Sequence, residues 1–372
     1  MNRVTTPSSD QPKVLAFSTL GEGSNDEMRI RDLLADLNPI VHPFQRDRKI
    51  RSFWSLLQRI RTERPDLAVM EGTGVAGGMA LMIARLLFGV RYVFSSGDAV
   101  GPWVGHHMPM LGPLFALYER ILCLFSSGFI GWTPYLAGRA LTFGTPRAMT
   151  AAGWAPFRRP LEQQLSDRER LRQTLGIPAD HIVIGIVGSL IWNRRFSYCY
   201  GLELIEAARK VQRSDVTFLV VGDGPGRAKL ESLAAQLPSG RVLFTGRIPQ
   251  DQLPGYFAVC DIGSLPQSVD RVGSFRYTTK LSEYLAFGLP ILTGQIPLAY
   301  DLDEGWLWRL PGSAPWKPEY TDAMAALIDR LSTDEVLQKR KAVPRDHPIF
   351  DRSTQARRVA AFVRDIIGVR GV

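Results

Sequence analysis

The chain has 372 residues, more than one hydrophobic core usually serves, so two domains are expected. Apolar residues make up 45% and charged residues 22%, which excludes a disordered or collagen-like chain. The net charge of +9 asks for an anionic partner, and nucleic acid, an anionic bilayer or a nucleotide diphosphate would each serve. Neither zinc-finger spacing nor an RNA-binding aromatic run is present, so nucleic acid is set aside. Cys123, Cys199 and Cys260 are odd in number and far apart, which argues against a disulfide framework or a zinc site and for a reducing compartment. Residues 1–12 carry no signal-peptide core. Charges at Arg85, Arg91, Glu119 and Arg120 interrupt the apolar stretches 75–96 and 108–132, so neither reads as a spanning helix. A cytoplasmic protein is expected.

In chain order, Val14–Phe17 reads as a buried strand, followed by a loop bearing Gly21 and Gly23 and a helical pattern through Met28, Ile30, Leu33, Leu34 and Leu37. Strand, glycine-bearing loop and helix open a doubly wound α/β domain. Glycines in such loops serve the tight turn as readily as they admit a phosphate or a sugar. In residues 46–64, Ile50, Phe53, Trp54, Leu57 and Ile60 form one apolar stripe flanked by arginines and Lys49. Two readings stand. The helix lies on an anionic membrane surface, or it packs its stripe on the sheet with the cations in water. Leu67–Met70 and Arg91–Phe94 are further strands around an apolar helix, Val75–Phe88. Ser95-Ser96-Gly97-Asp98 ends the second of them, and His106 and His107 fall in the following loop. An apolar helix opens at Tyr118, and Gly128–Trp132 is the next strand. These elements make a first domain of residues 1–156, and the charged, proline-punctuated stretch 157–180 reads as a linker.

The second half opens on Ile182–Leu190, an apolar run of parallel-sheet type. Its loop carries Arg194 and Arg195, either of which can grip two phosphate oxygens. Gly222-Asp223-Gly224 begins a dinucleotide fingerprint, but Arg227 stands where the third glycine belongs. Val242–Thr245 leads into Gly246-Arg247-Ile248-Pro249. Asp261–Leu265 is the strand before a loop and a short helix in which Leu281, Tyr284 and Leu285 share one face. Lys280 and Glu283, three apart, are neighbours on another face. A cation beside a helix N-terminus suits a phosphate, and a carboxylate one turn on suits a sugar diol. A surface ion pair on an ordinary helix is the plainer alternative. Gly288 and Pro290 end the helix before the strand Ile291–Thr293.

Strand, loop, Lys-x-x-Glu helix with its Glu-Tyr-Leu-Ala-Phe-Gly-Leu-Pro core and strand together resemble the donor half of a GT-B glycosyltransferase, with family 4 the nearest likeness. The resemblance covers most of residues 14–330 and is strongest over 182–293. It implies two Rossmann-like, doubly wound parallel-sheet domains facing across a cleft, the donor domain spanning 181–340. Residues 341–372 would hold a C-terminal helix packed back on the first domain. A nucleotide diphosphate sugar would be the substrate and no cofactor or metal would be needed. Arg194 or Arg195 and Lys280 would neutralise the diphosphate, the backbone at Arg247 and Ile248 would meet the nucleobase, and Glu283 would hold the ribose. Gly21 and Gly23 join this donor set. Asp98, with His106 and His107, would stand on the acceptor side, with Asp98, Arg194 and Lys280 carrying catalysis. A glycan or lipid-linked acceptor is implied, with retention, in envelope or extracellular polysaccharide synthesis. The family's acceptor-side histidine is Gly97 here, its phosphate arginine is Ser189, and the first glutamate of its E-x7-E pair is Phe275. Those departures make a catalytically silent GT-B partner an alternative; a sugar-nucleotide 2-epimerase shares the fold and donor, but the losses at Gly97 and Phe275 count against it. Asp301-Leu302-Asp303 has the spacing of another fold's metal motif, but reads as a helix-capping loop.

Overall fold

The computed structural model describes residues 12–368, which divide into two compact units. The first comprises residues up to Gly153 together with Phe275–Tyr277 and the chain from Pro348 on. The second comprises Trp154–Ser274 and Thr278–His347.

The first unit is built from β1 (Val14–Ser18), α1 (Asn25–Leu33), β2 (Ile40–Val41), α2 (Lys49–Glu63), β3 (Leu67–Glu71) and α3 (Val75–Phe88). It continues through β4 (Arg91–Ser96), α4 (Val100–His107), α5 (Gly112–Phe125), β5 (Gly128–Gly131), α6 (Pro134–Thr142) and β6 (Ala148–Thr150). All six strands are parallel, in the order β2-β1-β3-β4-β5-β6, so the chain reverses direction across the sheet between β1 and β3. β1 and β3 are buried along their whole length, as parallel strands covered on both faces must be.

Four expectations change here. The helix after β1 stops at Leu33, and a 3-10 turn carries Leu37 inward. The inner face of α2 is Ser52, Leu56, Leu57 and Ile60, while Ile50 (77% exposed) and Trp54 (64% exposed) point to water. The stripe read from sequence is therefore rotated: α3 packs against the Leu56–Ile60 side of α2 and leaves the helix's first turn outside. His106 and His107 end the helix α4 instead of lying in a loop. Finally, α5 begins at Gly112, well before Tyr118, because Pro113 in the first turn starts a helix without loss of a hydrogen bond.

The second unit runs α7 (Leu161–Thr174), β7 (Ile182–Val187), α8 (Leu202–Ala208), β8 (Val216–Val221), α9 (Arg227–Ala234), β9 (Val242–Gly246), α10 (Leu253–Val259) and β10 (Ile262–Leu265). After these come α11 (Thr279–Ala286), β11 (Ile291–Gly294), α12 (Leu298–Asp301), β12 (Leu307–Leu310), α13 (Pro318–Arg330) and α14 (Thr333–Ala342). Its parallel sheet has the order β12-β11-β10-β7-β8-β9, with the reversal between β7 and β10. The core between sheet and helices holds Ile184, Ile186, Phe218, Val220, Tyr320 and Met324, all fully buried. Most of the stretch read as a linker is α7, which packs on α10. Asp261 secures it by accepting from Arg168 and Arg172, each at 2.6 Å, and from the N–H of Val183 at 2.8 Å. Asp303 caps its own loop through the N–H groups of Gly305 and Leu307. The last helix, α15 (Arg352–Gly368), belongs to the first unit and packs along α1.

Candidate functional site

In an open parallel sheet, ligands bind beyond the carboxyl ends of the strands where the chain reverses. The second unit has a cleft of about 630 Å³ at that place, lined by Val187, Gly188 and Ser189 after β7, Val221–Gly224 after β8, Arg247 and Ile248 after β9, and Leu253. Gly222 has a φ of +146°, and a Cβ there would meet the carbonyl oxygen of Gly188 at 1.9 Å. The Gly-Asp-Gly turn thus lets two backbones close on each other.

α11 brings its cation to the same place. Leu281, Tyr284 and Leu285 are buried as their spacing demands, which turns Lys280 outward. A Cβ on Gly188 would lie 3.0 Å from the Lys280 ammonium, which sits 4.3 Å above the Tyr200 ring. Glu283 follows one turn later. Burial pushes its carboxyl above the usual range, with Lys280 pulling the other way. It makes no hydrogen bond or ion pair among the described residues, and neither do the side chains of Lys280 and Arg247. The hydroxyl of Thr278, at the N-cap of α11, is buried and has no partner. Two cations, a helix N-terminus and a deep acceptor are what a phosphorylated, hydroxylated ligand requires.

Arg194 and Arg195 do not line this cleft. The long loop after β7 folds into a tight turn closed by the Asn193–Tyr198 bridge, in which the Asn193 side chain accepts from the N–H groups of Arg195 and Phe196. Both arginines are exposed there, the Arg195 guanidinium 5.3 Å from the Phe196 ring centre. The loop is held from below by Glu203, which accepts from the Tyr198 hydroxyl (2.9 Å), the Gly201 N–H (3.0 Å) and the Ser264 hydroxyl (3.1 Å). Burial pushes the Glu203 carboxyl up to about 7, against the opposing pull of those hydrogen bonds.

Gly21 and Gly23 belong to the first unit, in a turn where both take positive φ. The N–H of Gly23 donates to Glu27 at 2.5 Å. At the reversal point of that sheet lies a charged group that sequence reasoning missed. Arg29 of α1 pairs with Glu71 at the end of β3 at 2.7 Å, both buried. The guanidinium also donates to the Ala151 carbonyl and lies 4.4 Å from the Trp132 ring centre. Glu71 accepts in addition from Ser95 (3.0 Å) and the Trp132 indole (3.1 Å). Asp98 is held by Arg276 through two hydrogen bonds of 2.6 and 2.9 Å, so both its oxygens are engaged. Arg276 comes from the segment Phe275–Tyr277, whose Phe275 carbonyl accepts from Thr133 at 2.8 Å. Asp26 stands nearby with no hydrogen bond among the described residues. Burial and the Glu71 charge push its carboxyl up to about 7. His107 is exposed, its Nδ1 3.1 Å from the Trp103 carbonyl, and His106 is half-buried.

Residues 181–334, the sheet that carries the cleft, match the family model described as Glycosyl transferases group 1. The match is to a glycosyltransferase family and covers this segment alone. A 2-deoxystreptamine glucosyltransferase of Streptomyces kanamyceticus is 35% identical over 109 residues, 28% of this chain and 27% of that protein. A 2-deoxystreptamine N-acetyl-D-glucosaminyltransferase of Streptomyces fradiae is 27% identical over 154 residues, 37% of this chain and 35% of that one. The chain thus spans between a quarter and about a third of the length of the curated relatives it matches. Similarity of fold extends further. Anabaena HepE with UDP-glucose has a TM-score of 0.68 at 19% identity, covering 95% of this chain and 100% of that one. Sucrose-phosphate synthase of Thermosynechococcus elongatus gives 0.71 at 15%, covering 96% and 100%. The fold is GT-B, with two Rossmann-like parallel-sheet units.

Within the matched segment, Arg247 and Ile248 line the cleft, Lys280 lies against its Gly188 with Glu283 one turn along α11, and Arg194 and Arg195 stand apart. Glu203 was legible only as a carboxylate in the first turn of an apolar helix, a position usually left in water. Arg29 and Glu71 gave no local signal at all, because 42 residues separate the partners.

Proposed function

We propose that the protein transfers a sugar from a nucleotide diphosphate sugar to a glycan or lipid-linked acceptor, with retention, in envelope or extracellular polysaccharide synthesis at the inner face of a membrane. The observation that carries the donor half is the Glu283 carboxyl without a hydrogen bond, one helical turn from Lys280, whose ammonium lies against Gly188 of the cleft that Arg247 lines. Glu283 accepts from the ribose hydroxyls, the α11 N-terminus and Lys280 receive the diphosphate, and the backbone by Arg247 and Ile248 meets the base. Fixed cations stabilise the charge that grows on the leaving diphosphate. The side chains meet that charge themselves, so turnover is expected to survive chelation. That HepE holds UDP-glucose supports a nucleotide sugar as donor. A thermal-shift panel of UDP, GDP, ADP and their sugars tests this, since a ligand of the folded state raises stability. No shift with any of them overturns the donor reading. Donor hydrolysis without acceptor separates an enzyme from a silent partner.

A second acceptor reading has its own observation. The first unit's reversal point gathers Asp26, Glu71 and Asp98, with Asp26 lacking a hydrogen bond. A protonated amine beside Asp26 would restore its carboxylate, and the relatives are named for an aminocyclitol acceptor, 2-deoxystreptamine. Turnover with 2-deoxystreptamine and none with lipid-linked glycans would select this reading.

A further inference from the structure

The helix α5 has two apolar faces. The inner one packs on α3, where a Cβ on Gly78 would lie 2.0 Å from the Tyr118 hydroxyl, and its Glu119 is buried against Arg139 at 2.9 Å. The outer one is Leu114, Leu117, Ile121 and Leu124, spaced three, four and three, a single stripe along the helix. Leu114, Leu117 and Leu124 are 59, 55 and 61% exposed. Scattered exposed leucines need no explanation, but a continuous stripe facing water does. It continues onto the neighbouring helix, where Leu86 and Leu87 at the end of α3 are also exposed.

The charges beside this face have one sign. On α2, α3, α4 and α5 the exposed ionised side chains are Lys49, Arg51, Arg59, Arg61 and Arg120. The carboxylates of those helices are withdrawn: Glu63 is paired with Lys13 and Arg59, and Glu119 with Arg139. An apolar stripe with a cation on its own helix, and further cations on the helix beyond its neighbour, has the pattern of a surface that lies in the headgroup plane. No helix among the described residues is long and apolar enough to cross a membrane.

We propose that the outer face of α5, extended by the end of α3 and the cations of α2, rests on an anionic lipid bilayer. The leucines enter the interface and Arg120 with the α2 cations meets the headgroups. Charge selects this occupant over a second copy of the chain. A two-fold contact through the stripe would set Arg120 and its neighbours against their own images. The proposal moves the contact from α2, whose stripe is half consumed by packing, to α5. It supplies the surface for the lipid-linked acceptor reading, on which its biological sense rests.

The test is flotation of the full chain, without nucleotide, with vesicles of phosphatidylcholine alone or mixed with phosphatidylglycerol. Failure to float therefore leaves donor binding untouched, and thermal shift by nucleotide shows that each variant is folded. The protein should float with the mixed vesicles and lose binding as salt rises. Leu114→Asp with Leu117→Asp should reduce binding more than about tenfold, since each buried leucine contributes about 1.5–3 kcal/mol. Arg120→Glu should reduce it at least about fivefold, at about 1 kcal/mol for each cation near the surface. Equal flotation with both vesicle types, no flotation, or wild-type flotation of the leucine variant would overturn the proposal. A stripe-dependent dimer in sedimentation would also overturn it, by naming a second copy as the occupant.

Discussion

The two sheets reverse direction in the same manner, yet their reversal points are furnished in opposite ways. In the second unit Arg247 lines an open cleft and Lys280 lies against its Gly188, both without ion pairs, as is Glu283 one turn further along α11. In the first unit Glu71 and Asp98 have already been claimed by Arg29 and Arg276. Each point also keeps one carboxyl poised near neutrality, for different reasons. Glu203 is buried among three hydrogen-bond donors, and Asp26 is buried beside the Glu71 charge without any. An unpaired charge beside a cleft is free to meet a ligand, whereas removing one partner of a buried pair leaves the other uncompensated. On the proposed reading, ligand charge would be recognised in the second unit, while the first unit's paired charges are structural, with Asp26 as the exception.

The sharpest way to break this comparison is to remove Glu71. Glu71→Gln leaves Arg29 buried without its counter-charge, a loss of about 3–5 kcal/mol for such pairs. Hydrogen exchange should show the β3 and β4 amides losing protection while nucleotide affinity of the second unit stays unchanged. Loss of nucleotide affinity with protection intact would mean that the pair serves binding, and the contrast between units would fail.

Glu203 gives the next effect, with a sign that can be checked. Its folded value of about 7 lies above the ordinary 4.5, so the native state holds a proton that the unfolded chain releases. Its contribution is fully present below about pH 4.5 and is lost as pH rises through 7, by on the order of 1.4 kcal/mol per pH unit at most. Glu203→Gln imitates the protonated form and should gain on the wild type between those limits in denaturant titrations. A constant difference across that range would show that Glu203 is ionised in the native protein. Smaller again is Lys280→Ala, expected to cost nucleotide-sugar binding about 1.5–3 kcal/mol by calorimetry, the range for a charged hydrogen bond. Its position outside the Leu281–Leu285 stripe should leave the melting temperature of the free protein unaltered.

Much of the fold was legible because its signals are local. The apolar runs at Ile182–Val187 and Val216–Val221 are buried on both faces, and the spacing of Leu281, Tyr284 and Leu285 fixes the inner side of α11. What escaped was set by partners distant in sequence. The α2 stripe turned because α3 covers Leu56, Leu57 and Ile60, which the pattern alone could not rank above Ile50 and Trp54. Arg276 lies four residues before Lys280, and the sequence gives no sign that its partner is Asp98, 178 residues away.

The smallest expected effect bears on the loop after β7, where sequence and structure part most clearly. Arg194 and Arg195 have the chemistry of phosphate ligands and follow the strand that a phosphate loop should follow. Chemistry is insufficient without reach: the Asn193 side chain caps the turn that carries them, and the bridge to Tyr198 fixes it outside the cleft lining. The loop is further tied down through Tyr198 to Glu203. Swinging either arginine inward would break those contacts, so the double change Arg194→Ala with Arg195→Ala should alter nucleotide affinity by no more than about 0.5 kcal/mol, as for ordinary surface positions. Arg247→Ala, in the cleft, should weaken it measurably under the same conditions. Should the order be reversed, the loop must rearrange when the donor binds, and the cationic furnishing of the second unit would be completed by the ligand rather than built in advance.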